Sequence, residues 1–169
     1  MDGRSQNIDE VEVLYRQHGA ALLLFASALS GDQARAQDAL HQVFLRLLKN
    51  NTIGQATDKK AYLFACVRNA VLEDASLRKR SVPVDVEPAW FIPPERDFAA
   101  EQNLRRALTA LPPEQREVIV LHVWGDLTFR QMGDLLGISA NTAASRYRYA
   151  LDKLRLAMLP KENSCAEFR

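Results

Sequence analysis

The sequence predicts an all-α chain of two helical domains joined by a Pro-rich acidic linker, with a helix-turn-helix in the second domain. Three observations carry this. Apolar residues recur at steps of three and four along most of the 169 residues, the period of helices with one buried face. Between Val82 and Pro94 that pattern stops, and four of the seven prolines (Pro83, Pro88, Pro93, Pro94) gather there. Beyond it, Leu127 to Met158 reads as helix, short turn, helix.

Residues 1–7 are polar and are expected to fray. From Ile8 to about Leu29 the positions Val11, Leu14, Tyr15, Leu22, Phe25, Ala26 and Leu29 form one apolar stripe. Gly31 suits a left-handed helix end, and Asp32 suits the N-cap of the next helix. That helix, Gln33 to Lys49, turns Ala36, Leu40, Val43, Phe44 and Leu47 inward, and the short link argues for an antiparallel hairpin. Asn50 to Asp58 is rich in turn formers and reads as a loop. A third helix, about Lys59 to Arg80, has Leu63, Phe64, Val67, Val71 and Ala75 on its inner face. Its other side carries Tyr62, Asn69, Glu73, Ser76 and Arg80, with Arg68, Arg78 and Lys79 alongside. An exposed ring with amides and cations suits single-stranded nucleic acid, where bases stack and cations follow phosphates. The same residues equally suit a ring covering the helix start and a basic cluster complementing the helix dipole.

Residues 81–101 carry five acids against Arg96, so the linker, 82–96, stays solvated. Its apolar trio Trp90, Phe91 and Ile92 is suited to docking, on a domain or on a partner. The second domain, 97–159, starts with a helix to about Ala110 that turns Leu104, Leu108 and Leu111 inward. Pro112 and Pro113 open another, with Glu114 in its first turn, and it ends at Gly125.

Thr128 and Gln131 have the spacing of a capping box. Met132, Leu135 and Leu136 form a stripe, Gly137 takes the left-handed end, Ile138 fills the corner and Ser139 caps the second helix. There Ala143, Tyr147, Ala150 and Leu154 face inward, which leaves Asn141, Thr142, Ser145, Arg146, Arg148 and Tyr149 for base edges and phosphates. From Thr128 to Lys161 six cations oppose Asp134 and Asp152, although the whole chain is only +1. Positive potential is therefore concentrated at one end.

Composition narrows the function classes. Cys66 and Cys165 offer no disulfide framework, and three scattered histidines make no metal-ligand spacing with them, so no metal or cofactor is expected and the chain reads as a reduced, cytoplasmic protein. The first residues lack the basic-then-apolar pattern of a signal peptide, and the longest apolar run, Ala20 to Ala28, is too short to span a bilayer, so no membrane insertion is expected. Paired acids, a nucleophile motif and a Gly-rich phosphate loop are all lacking, which argues against an enzyme and leaves no catalytic residue to name.

ALPPEQREVIVLHVWGDLTFRQMGDLLGIS…TAASRYRYALDKLR resembles the C-terminal DNA-binding domain of bacterial RNA polymerase sigma factors. DALHQVFLRLL followed by KKAYLFACVRNAVLEDASLRKR is similar to their N-terminal domain. Two such domains and a short linker resemble the extracytoplasmic-function (ECF) group, over about residues 9–158. The resemblance implies that residues 8–81 hold core RNA polymerase and the −10 element, and that 97–159 reads the −35 element. It points to Asp38, Gln42 and Arg46 for polymerase and to Tyr62, Arg68, Asn69 and Arg80 for the melted −10 strand. For the −35 duplex it points to Asn141, Thr142, Ser145, Arg146, Arg148 and Tyr149. The implied partners are core polymerase, double-stranded and melted promoter DNA, and an anti-sigma protein of the kind common in the family. Tyr62 stands where Trp is common, Gln42 where Glu is common, and Ala144 where Lys or Arg is frequent; the stretch from Asn69 to the basic cluster is one residue longer than the family pattern. The competing reading is a stand-alone helix-turn-helix regulator, which would have no use for the Asp38 face or the Tyr62 surface.

Overall fold

The computed structural model describes residues 2–78 and 98–159. Linker 82–96 with its apolar trio, Arg80 and the tail from Pro160 lie outside the described residues. Those described form α1 (Asp2–Ser30), α2 (Gln33–Asn50), α3 (Lys59–Arg78), α4 (Phe98–Ala110), α5 (Pro113–Val123), α6 (Phe129–Leu136) and α7 (Ala140–Met158), with one 3-10 turn at Ile53–Gln55 and no strand.

The first half is an antiparallel hairpin, α1 and α2, with α3 laid across it. Gly31 closes α1 at φ +69°, and the Asp32 carboxylate accepts from the backbone N–H groups of Ala34 and Arg35 to start α2. Contrary to the expected fraying, α1 includes residues 2–7. Asn7 explains why. It is buried, and its Nδ2 donates to the carbonyls of Leu47 and Leu48, both at 3.3 Å. Both carbonyls lie in the last turn of α2, where Leu47 O also accepts from the capping Asn51 N–H at 3.2 Å.

The stretch expected to be a plain loop is also anchored, because Ile53 is fully buried beneath its 3-10 turn. Asp58 opens α3 by accepting from the N–H of Ala61 at 2.9 Å. Leu63, Phe64, Val67 and Val71 face the core as expected, but Ala75 is exposed and Ala70 takes the buried position. The last turns of α3 outrun the helices beneath, as the exposure of Leu72 and Leu77 shows.

In the second half, Arg116 on α5 secures the carboxyl end of α4. Its Nε donates to Leu108 O at 3.0 Å, and its Nη2 to Thr109 O at 2.9 Å and Leu111 O at 3.1 Å. The capping box is formed in both directions: Thr128 N donates to Gln131 Oε1, and Gln131 N to Thr128 Oγ1. Gly137 ends α6 at φ +69°, and Ser139 Oγ accepts from Thr142 N at 3.0 Å. At Gly133 a Cβ would lie 2.7 Å from Ile138 O, so only a residue without one lets α6 meet the turn so closely.

The two halves touch. Helix α5 packs on α1, and α6 packs on α3. Phe64, fully buried, meets Phe25 edge-on at 5.4 Å. Its ring also reaches Gly125, where a Cβ would stand 3.0 Å from Cζ. Arg116 Nη1 crosses to Ala28 O at 3.2 Å, and Lys60 Nζ donates to Asp126 O at 2.9 Å. Buried apolar side chains of both halves belong to one contiguous core.

Candidate nucleic-acid interface

Helix α7 is held by its apolar side. Ala143 and Ala150 are fully buried against α5 and α4, and Tyr147 packs edge-on to His122 at 4.6 Å. His122 in turn stacks on Phe129 at 4.8 Å. A carbonyl only accepts, so the 2.8 Å contact from His122 Nδ1 to Leu127 O places a proton on Nδ1. The histidine thus serves the helix-turn-helix core, and among the described residues no three His, Cys, Asp or Glu side chains converge as metal ligands.

With that side fixed, Asn141, Thr142, Arg148 and Tyr149 are exposed, while Ser145 and Arg146 are half-buried. Arg148 Nη2 reaches back to Ser145 Oγ at 3.4 Å. Thr142 Oγ1 shares a 2.8 Å hydrogen bond with Ser139 Oγ, so it is partly committed to the helix cap.

On the first half, Asp38, Gln42 and Arg46 are all exposed at steps of four along α2, hence on one face. Arg46 approaches Glu73 of α3 at 3.9 Å, a loose surface pair. Between α2, α3 and the 3-10 turn lies a cleft of about 250 Å³ whose walls include Arg46, Asn50, Thr52, Tyr62, Cys66 and Asn69. Tyr62 is half-buried rather than fully exposed, its Oη 3.4 Å from Thr52 Oγ1. Burial pushes the Cys66 thiol above its ordinary pKa, so it stays a neutral wall. Tyr62 and Asn69 thus share one cleft.

Arg68 does not share it. Its Nε donates to Glu117 Oε1 of α5 at 2.7 Å, with the Arg68 side chain 26% and the Glu117 side chain 9% exposed. Burial raises the Glu117 carboxyl above its ordinary pKa, and Arg68, then Arg146, pull it back. Asp58 accepts from Gln131 Nε2 across the same junction, and the Ala61 backbone bond is the main reason its carboxyl sits below the ordinary range. Sequence reasoning passed over Glu117. The available signal was an acid embedded against the run Val118 to Leu121, all four of which are buried.

Residues 14–81 match the family described as Sigma-70 region 2, and residues 101–154 match Sigma-70, region 4. The ECF RNA polymerase sigma factor SigL of Mycobacterium tuberculosis is 32% identical over 156 residues, covering 88% of either chain. The RNA polymerase sigma-E factor of Streptomyces coelicolor is 32% identical over 160 residues, covering 90% of this chain and 88% of its own. The fold is that of the sigma factor RpoE from Bartonella quintana, solved with the anti-sigma factor NepR, at a TM-score of 0.76 and 24% identity over 90% of this chain and 98% of that one. With both regions present in order and relatives matched over nearly their full length, the chain belongs to the ECF group of the sigma-70 family of RNA polymerase sigma factors.

Proposed function

We propose that the chain directs core RNA polymerase to promoters in the cytoplasm and helps melt them, performing no chemistry of its own. The observation that carries this is the coexistence, on one chain, of an exposed recognition helix, a Tyr62–Asn69 cleft walled by Arg46, and the exposed α2 face of Asp38, Gln42 and Arg46. A stand-alone regulator needs only the first. Residues 8–81 form the polymerase and −10 unit, 82–96 the tether and 97–159 the −35 unit. Each binds DNA weakly alone, and tethering both to polymerase raises the effective concentration of each at its element. An anti-sigma protein joins the partner set by analogy with the Bartonella complex. Run-off transcription with core polymerase and genomic promoter fragments tests the reading. Specific transcripts are expected, and their absence would sink it.

The cleft has room for an unstacked base, with the Tyr62 ring as its platform and Asn69 as its polar contact. Tyr62→Ala is expected to weaken open-complex formation by about 1–3 kcal/mol, the worth of one stacked base, while Tyr62→Trp keeps it. Permanganate footprinting of the melted strand reads both, and parental melting by the alanine variant would make Tyr62 purely structural.

On α7, base reading falls to Asn141 and Ser145, near the helix start that enters the major groove. Arg148 and Arg146 take phosphates, as does Arg68 at the −10 strand once it is released from Glu117; Thr142 and Tyr149 complete the surface. Asn141→Ala or Ser145→Ala should cost about 1–3 kcal/mol at one base pair and relax preference there. Arg148→Ala should weaken all −35 sequences alike and lower the salt slope by roughly one unit. Holoenzyme binding to a −35 library at two salt concentrations separates these outcomes, and a sequence-selective loss from Arg148→Ala would reverse the assignment.

A further inference from the structure

The cleft is longer than one base requires. Tyr62, Cys66, Asn69 and Glu73 follow one another along α3 at steps of four, three and four, and all of them line it. They therefore share one face of the helix, and at 1.5 Å per residue that face runs roughly 16 Å from first to last. A base stacked on Tyr62 leaves the Glu73 end open to a second nucleotide. Buried Val43 and Leu47 give the cleft an apolar side, against which the flat face of a base can rest.

The far end has a chemistry of its own. Arg46 Nη1 lies 3.9 Å from Glu73 Oε2, with the two side chains 61% and 63% exposed. That separation exceeds hydrogen-bond length, so the carboxylate keeps its acceptor capacity and the guanidinium its donors. A phosphate has acceptors alone and would meet Glu73 as a like charge. A base edge carries donors and acceptors side by side, as this pair does. Adenine, cytosine and guanine each have an exocyclic amine to donate. Thymine has one donor, N3–H, set between two carbonyl oxygens that a carboxylate repels.

We propose that the Arg46–Glu73 end of the cleft is a second base subsite, where Glu73 accepts from the exocyclic amine of the nucleotide next to the one on Tyr62 and so excludes thymine. The inference rests on the promoter-melting reading above. Stacking on Tyr62 tolerates any base and supplies affinity, whereas Glu73 determines specificity. Arg46 donates to the acceptor beside the amine, so both charges are matched once the strand is bound.

The test uses holoenzyme, the full chain with core polymerase, on forked promoters whose −10 strand is single and carries each base at each melted position in turn. An abasic substitution that weakens the parent but adds nothing to Tyr62→Ala marks the base on the ring. At an adjoining position the parent should bind thymine about tenfold more weakly than the amino bases, the scale of one polar base contact. Glu73→Gln, whose amide donates as well as accepts, should cut that penalty below about threefold there and nowhere else. Ala75→Gln, at an exposed position outside the cleft walls, should keep the parental profile. Uracil in place of cytosine exchanges the amine for a carbonyl without adding the methyl of thymine, and should bind as weakly as thymine. No thymine penalty in the parent, an unchanged penalty in Glu73→Gln, equal relaxation by Ala75→Gln, or uracil bound like cytosine would each overturn the subsite. The two readings fail separately. Parental melting by Tyr62→Ala removes the cleft as a base site altogether, and impaired Tyr62→Ala beside a parental Glu73→Gln profile removes the second subsite alone.

Discussion

Phe64→Ala is expected to cost about 3–5 kcal/mol, lowering the melting temperature by roughly 6–20 °C for a chain of this size. The ring has no exposed surface, packs edge-on against Phe25 and closes on Gly125 of the other half. Truncation therefore opens a cavity where the two halves share a core, and neither helix backbone is free to collapse into it. Phe64→Leu keeps most of the volume and should cost less than about 1.5 kcal/mol. Thermal denaturation followed by circular dichroism reads both. A loss below about 1 kcal/mol for the alanine variant would mean that this ring does not join the halves.

Reversing charge at Asp38 and Arg46 together should weaken core polymerase binding roughly a hundredfold, about 2.7 kcal/mol, without changing helical content. Both residues are exposed, and the Arg46 pair with Glu73 is a loose surface contact worth at most about 1 kcal/mol. Stability should therefore hold while the partner meets the wrong charges, at a cost of several kcal/mol for like-charge juxtaposition. Pull-down of the double variant at parental strength would remove α2 as the polymerase face.

Much of the fold was legible because its signals are local. Asp32, the Thr128–Gln131 box, Gly137 and Ser139 satisfy groups two to four residues away, so spacing alone reveals them. The inward faces of α2 and α7 follow from period. Long-range partners were not legible. Asn7 looked like part of a polar fringe because the carbonyls it serves lie 40 and 41 residues on. Ile53 looked like a loop residue because the helices that cover it come from elsewhere in the chain. The helical period placed Ala75 inward, but it could not show that α3 outruns its support.

The candidate site divides the same way. The recognition face and the α2 face were readable as helical faces. The half-burial of Tyr62 and the capture of Arg68 by a carboxylate 49 residues away depend on packing that no spacing encodes.

The Asn7 contact has a practical consequence for anyone trimming this protein. A boundary drawn at Ile8, where the apolar stripe starts, would delete the amide that binds the Leu47 and Leu48 carbonyls in the last turn of α2. The damage would surface beside the cut but in the other helix, at the end of α2, which carries Arg46 and one wall of the cleft. The polar opening turns of α1 are thus part of the folded unit, and a shortened fragment chosen by hydropathy alone would confuse a lost helix terminus with a lost binding residue.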